Sequence, residues 1–221
     1  QGLVEELFGE INRQLAAKGL LLKQGTVVDA TIIDSSGRPL SKDKRAELDE
    51  SPSSQIDTDA DSTKKGGRYY FGYKGHIGVD VGSKLIRKVA FTPASPHDST
   101  VLEELVSEDE RALFGDKAYA RDALKQTARQ RGWYYGILEK AKRGAPLSAT
   151  QKKRNKRHQR VRAQVEHPFA AIKDRYGMRW ARAKTKARNQ ARFVMAAICW
   201  NIERSITWAK KRPDIIPAGA T

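Results

Sequence analysis

Cysteine is almost absent. Cys199 is the only one in 221 residues, which excludes an internal disulfide and a thiolate metal cluster. Set between Ile198 and Trp200, it reads as a small buried apolar residue and not as a reactive thiol. No apolar run approaches the roughly 18 residues of a membrane span, and no signal-peptide pattern opens the chain. The expectation is a soluble, cytoplasmic protein. Acidic residues are the scarce charge: 26 Asp+Glu face 42 Lys+Arg, for a formal net charge of +16. A surplus that large calls for a polyanionic partner, with nucleic acid ahead of membrane or acidic protein. The length suits one domain of moderate size, or one domain with an appendage.

What the chain does have is a set of acids in places where acids are costly. Residues 26–33 (TVVDATII) form a β-branched run bounded by Gly25 and by Asp34-Ser35-Ser36-Gly37. That pattern predicts a strand buried on both faces and central in a sheet. Asp29 lies in its middle, and a carboxylate there must be paired, well hydrogen-bonded or on a metal. Residues 112–116 (ALFGD) read as a short apolar strand ending in Asp116, and in open α/β sheets sites gather at strand ends. Ser148-Ala149-Thr150-Gln151 has the form of a capping box that starts a helix. The basic run Lys152, Lys153, Arg154, Lys156, Arg157 and Arg160 follows. On a 3.6-residue period Arg162, Glu166 and Lys173 then share one face, beside an apolar stripe of Val161, Val165, Phe169 and Ile172. For Glu166 two readings stand: surface ion pairs with Arg162 and Lys173, or a functional carboxylate. Pro168 removes the bond its N–H would give to the Gln164 carbonyl. The resulting kink is either merely tolerated or turns Glu166 toward the aspartates.

The remaining elements fill in the order. Residues 3–17 repeat apolar positions at helical spacing up to Gly19, and we read 1–24 as a connecting helix. The opening on Gln1 without a start signal suggests a fragment whose N-terminal portion has been removed. Residues 34–68, polar and carrying Pro39 and Pro52, read as one long flexible loop. Its Asp57-Thr58-Asp59-Ala60-Asp61 cluster starts like an EF-hand, but Ser62 and Arg68 stand where glycine and glutamate are needed, which excludes a calcium loop. Residues 69–81 alternate strictly, with Tyr69, Phe71, Tyr73, Ile77, Val79 and Val81 on one side and Lys74, His76 and Asp80 on the other. Lys74 and His76 then belong to a solvated sheet face or contact phosphate. A strand over 85–92, a helix over 100–106 with Thr100 and Glu103 as a capping box, a helix over 121–131 and a strand over 134–139 complete the middle. The C-terminal part, 176–221, is basic and closes with an apolar helix over 191–208 and a disordered tail.

The order of these elements resembles the ribonuclease-H-like fold, an α/β fold with a mixed five-stranded sheet flanked by helices. The local sequences VVDATII, DTDA…KKGGRYYFGYKGHIGVD, TPASPHDS, GDKAY and VEHPFAAIK resemble those of DDE transposases from bacterial insertion sequences, in particular the insertion-sequence-five group. The resemblance runs from about residue 3 to about residue 206. It implies a catalytic core over 25–175, with Asp29, Asp116 and Glu166 as the catalytic acids. The 50 positions between Asp116 and Glu166 leave no room for the large insertion some relatives carry there. Arg162, Glu166 and Lys173 match the related signature Y-x2-R-x3-E-x6-K, with Gln159 in place of the tyrosine.

Cleavage and strand transfer of phosphodiesters need an activated oxygen nucleophile and neutralised transition-state charge, which two Mg²⁺ ions roughly 3.5–4 Å apart can supply. Carboxylates are the ligand type such hard cations take, and Mn²⁺ is expected to substitute. Asp29 would then bridge the ions, with Asp116 and Glu166 holding one each. Arg162 and Lys173 are expected on phosphate, with Lys74, His76, Lys152, Lys153, Arg154 and Arg157 as further DNA contacts. Double-stranded DNA is the expected partner, with a homodimer in the DNA complex. Two alternatives are a metal-dependent endonuclease on the same fold and a catalytically inactive DNA-binding relic.

Overall fold

The computed structural model of the chain describes residues 2–51 and 53–211. The tail expected to be disordered lies, from residue 212 onward, outside the described residues. Helix α1 (Leu3–Ala17) buries Phe8 and Leu15 and leads to the central strand β1 (Thr26–Ser35). After it come α2 (Lys42–Glu50), β2 (Asp61–Lys65), β3 (Arg68–Asp80) and β4 (Ile86–Pro93). A 3-10 turn over Asp98–Val101 runs into α3 (Leu102–Leu105), followed by β5 (Ala112–Gly115), α4 (Asp122–Gln130) and β6 (Tyr134–Ile137). Then come α5 (Ala149–Arg162), a 3-10 turn Ala163–Val165, α6 (Glu166–Ala170), β7 (Trp180–Ala181) and α7 (Lys186–Lys211).

The sheet is mixed. β1 pairs antiparallel with β3 along Thr26–Asp34 and parallel with β5, which pairs parallel with β6. Gly72 of β3 faces Asp34 on one side and Asp61 on the other, so β2 and β4 lie end to end along the far edge of β3. Among the described residues the sheet thus holds seven strands where five were expected. β4-β3-β1-β5-β6 are those five, and β2 and β7 are the additions. β2 is Asp-Ser-Thr-Lys-Lys, too polar to signal a strand by itself, and β7 is two residues long.

Alternation along the strands sends side chains to two cores. Val27, Ile33, Tyr73, Ile77 and Val79 pack under α7 with Phe193 and Ala197, whereas Val28, Leu113 and Ala90 pack with Leu102, Leu105 and Tyr119. Two asparagines fasten the helical layer. Buried Asn201 accepts from the Ile86 amide (2.7 Å) and donates to its carbonyl (2.8 Å), as a neighbouring strand would, and it also donates to Asn12 of α1. α7 approaches β3 so closely because Gly75 has no side chain: a Cβ there would lie 2.3 Å from the Phe193 ring.

Two local expectations need correction. The segment 34–68 is not one uninterrupted loop, since it contains α2 and β2. Its order comes less from apolar burial than from the Asp57 carboxylate. That group accepts from the Tyr73 hydroxyl (2.6 Å), the Ser35 hydroxyl (3.3 Å) and the backbone amides of Asp59 and Ala60, while Asp59 accepts from the Lys186 amide at the start of α7 (2.7 Å). The helix expected over 100–106 begins earlier, at Asp98, and His97 caps it. Thr100 donates to the His97 carbonyl, so no Thr100–Glu103 capping box forms. The capping box of Ser148 and Gln151 is present.

Gly75→Ala should lower the unfolding free energy by about 1–3 kcal/mol, because overpacking forces Phe193 or α7 to move. Urea denaturation measures it, and an unchanged midpoint would mean that α7 adjusts without strain.

Candidate active site

The parallel register of β1 and β5 pairs Val28 with Gly115. Asp29 and Asp116 each come one residue later, so the ladder delivers two carboxylates to the same level at the end of β5. On this edge β1 then has no strand neighbour until β7 pairs with it at Asp34. The turn Ala163–Val165 packs against β1 and brings the end of α5 to this place. The change of helical pitch has a local cause. Pro168 has no N–H to give the Gln164 carbonyl, and the chain tightens to a 3-10 turn around Gln164 before resuming as α6.

Asp29 is largely buried. Its Oδ1 accepts from the Ala30 amide (2.9 Å) and its Oδ2 from Arg162 Nη2 (2.9 Å). Burial pushes its carboxyl above the ordinary range, and the Arg162 charge pulls against that. Asp116, half-buried, caps the following 3-10 turn by accepting from the Lys117 amide (2.7 Å). Glu166 is exposed, and among the described residues it makes no ion pair within 4 Å. The reading of Glu166 as a partner of Arg162 and Lys173 therefore fails, since Arg162 turns to Asp29 instead. Lys173 is half-buried; burial lowers its pKa and the nearby Asp34 opposes that.

Arg162 separates two clefts. One, of about 460 Å³, is lined by Asp29, Arg162, Glu166 and Lys173, with Gln159 and Asp174. The expected common helical face is thus one wall of a cavity. The other, of about 270 Å³, is lined by Asp29, Arg162, Asp116 and Lys74, with Lys65 and Asp98. Asp98 is an acid of this site that sequence reasoning left unassigned. Its signal was the TPASPHDS motif, and it pairs with Lys74 Nζ at 2.9 Å. Lys64 and Lys65 were also missed, because they reach the cleft on β2, inside a segment read as loop.

The other expected contacts are spread more widely. His76 must be corrected: it is 1% exposed, with Nε2 on the Thr92 hydroxyl (3.0 Å) and Nδ1 unpartnered, so its ring is not presented to phosphate. The sheet face it occupies is packed against α3, not solvated. Lys152, Lys153 and Arg157 are exposed on α5. Lys152 stands ten residues, roughly 15 Å of helix, from Arg162. Arg154 pairs with Glu139, whose other oxygen accepts from Gln151 (2.7 Å). Among the described residues no three His, Cys, Asp or Glu side chains stand close enough together to hold a metal ion. The donor types nevertheless fit a hard divalent cation. Asp29, Asp116 and Glu166 are the residues that would hold it, Asp116 and Glu166 in separate clefts that share Asp29.

The mixed sheet, its strand order and its flanking helices make this a ribonuclease-H-like DDE transposase domain. The family model described as Transposase DDE domain matches residues 21–202, and the chain belongs to that family. With membership comes a polynucleotidyl transferase activity in general, and DDE transposase domains generally use divalent metal ions. No helix among the described residues is long and apolar enough to cross a membrane.

Burial lowers the His76 pKa to about 4, with Asp98 and Lys74 acting in opposite directions. Unfolded, the ring titrates near 6.5. Between these values the unfolded chain binds a proton that the folded chain refuses, so this contribution to stability falls as pH drops from about 7 to about 4. His76→Gln removes it. Between pH 7 and pH 4 the variant should gain about 3 kcal/mol relative to the wild type. Parallel stability curves in urea at the two pH values would contradict this.

Proposed function

We propose that this chain is the catalytic domain of an insertion-sequence transposase of the insertion-sequence-five group, and that it cuts and joins DNA through Asp29, Asp116 and Glu166. The observation that carries the reading is the β1–β5 register, which sets two carboxylates side by side at a strand end, with Arg162 acted on by both and by Glu166. Divalent cations, two Mg²⁺ with Mn²⁺ as a substitute, supply an activated oxygen nucleophile and offset charge on the phosphorane-like transition state. Asp29, which lines both clefts, would hold such cations together with Asp116 on one side and Glu166 on the other.

In this reading the substrate is duplex DNA, held by a homodimer. In the first step water displaces the 3′-oxygen from a phosphodiester and frees a 3′-hydroxyl. In the second that hydroxyl attacks a target phosphodiester in line, displacing its 3′-oxygen. Arg162 and Lys173 hold the non-bridging oxygens, and Lys64, Lys65 and Lys74 line the path of the strand on the Asp116 side. Lys152, Lys153 and Arg157 track the backbone farther along α5. Arg154, tied to Glu139, is the weaker contact.

Incubating labelled element-end DNA and target DNA with Mg²⁺ or Mn²⁺ tests the reading. Nicked and joined products support it, and nicking that never leads to joining points to a nuclease. Glu166→Gln keeps size and helix but removes a charge, so cleavage should fall about a thousandfold or more, with folding and DNA affinity kept. Asp29→Asn and Asp116→Asn should behave alike, and pairs should add little further loss because the three act as a unit. Near-normal cleavage by Glu166→Gln would remove that residue from the site.

The surplus of positive charge sets a second expectation. If about six phosphates are neutralised, log affinity against log salt should fall with a slope near −5. Binding that hardly changes between low and moderate salt would count against a phosphate-dominated interface.

A further inference from the structure

Arg162 stands in the walls of the two clefts that Asp29, Asp116 and Glu166 line. Its Nη2 donates to Asp29 Oδ2 at 2.9 Å, and the acids whose charges act on it are Asp29, Asp116 and Glu166. It lines both clefts, as Asp29 does. Both Asp29 oxygens are already engaged, Oδ1 by the Ala30 amide and Oδ2 by the guanidinium, so a cation approaching Oδ2 meets the Arg162 charge. Among the described residues the Arg162 Nε is buried without a hydrogen-bond partner. A divalent ion on Asp29 would sit in contact range of a unit positive charge, and in a half-buried site that repulsion is large.

We propose that Arg162 is the resident counter-cation of the acids in the DNA-free protein, and that metal ion and guanidinium compete for Asp29. Metal entry expels Arg162, and the released guanidinium, with its poorly satisfied Nε, becomes free to grip a phosphate. Without DNA the metal site is therefore weak, because nothing awaits the expelled charge. With a phosphate in the cleft, metal loading and substrate clamping become one event. This rests on the reading of Asp29, Asp116 and Glu166 as cation-holding acids.

Mn²⁺ binding to the full chain without DNA, followed by electron paramagnetic resonance or calorimetry, gives the test. Arg162→Gln should bind Mn²⁺ about tenfold more tightly than the wild type, or tighter still, since one competing charge is gone. Arg162→Lys keeps the charge and should stay close to the wild type. Arg160→Gln, which removes the same charge from an exposed position on the same helix, should also stay close. A folded Arg162→Gln protein that binds Mn²⁺ no better than the wild type overturns the proposal, and so does an equal gain from Arg160→Gln. Should Arg162→Gln not fold, the wild type decides. The Arg162 Nε resonance should shift as Mg²⁺ is added, and an unmoved signal at Mg²⁺ concentrations that support cleavage overturns the competition. The assignment of the acids fails separately, through normal cleavage by Asp29→Asn or Glu166→Gln.

Discussion

A carboxylate in the central strand of a sheet must be balanced, and the arrangement around β1 follows from balancing Asp29. Burying an unpaired charge among strand neighbours is costly. Here β5 ends one residue before Asp29 would meet it, β7 rejoins only at Asp34, and Arg162 fills the opening. Asp80 accepts from the Leu22 and Lys23 amides and the Ser83 hydroxyl, and Glu110 from Thr26, Arg87 and the Ser107 amide. Both are saturated by fixed groups and face no cleft described above. Asp29 has one amide and one displaceable guanidinium, and two clefts open on it.

The walls of those clefts come from distant parts of the chain. Lys64 and Lys65 arrive on β2, which pairs with β3 along Asp61–Lys65 and follows a segment tied down by Asp57 and Asp59 to Tyr73, Ser35 and the start of α7. α7 is in turn fixed by Asn201 on the backbone of β4 and by Phe193 on Gly75. A polar segment with little apolar surface is thus ordered through charge-assisted hydrogen bonds to a well-packed frame. The same segment contributes cations to the site, which a purely apolar anchor would not require.

Local patterns made much of this legible in the sequence. The β-branched run around Asp29, the apolar strand before Asp116 and the helical phase of Arg162, Glu166 and Lys173 each depend on residues a few positions apart. A period of two or of 3.6 reports them directly. The strict alternation of β3 also identified its strand, yet neither reading of its second face, solvated or phosphate-contacting, fits His76. Periodicity shows which side chains lie together, not what covers them, and His76 proved buried beneath α3, far along the chain.

By itself the sequence determined most of the elements, the cost of Asp29 and the basic surplus, because propensity, burial preference and charge are properties of short stretches. The tertiary structure alone decided that Arg162 pairs with Asp29 across 133 positions, that Asp98 shares a cleft with Asp116, and that β2 and β7 join the sheet. Those outcomes depend on strand register and helix placement. Both are set by long-range packing, which leaves no periodic trace in the segments that it brings together.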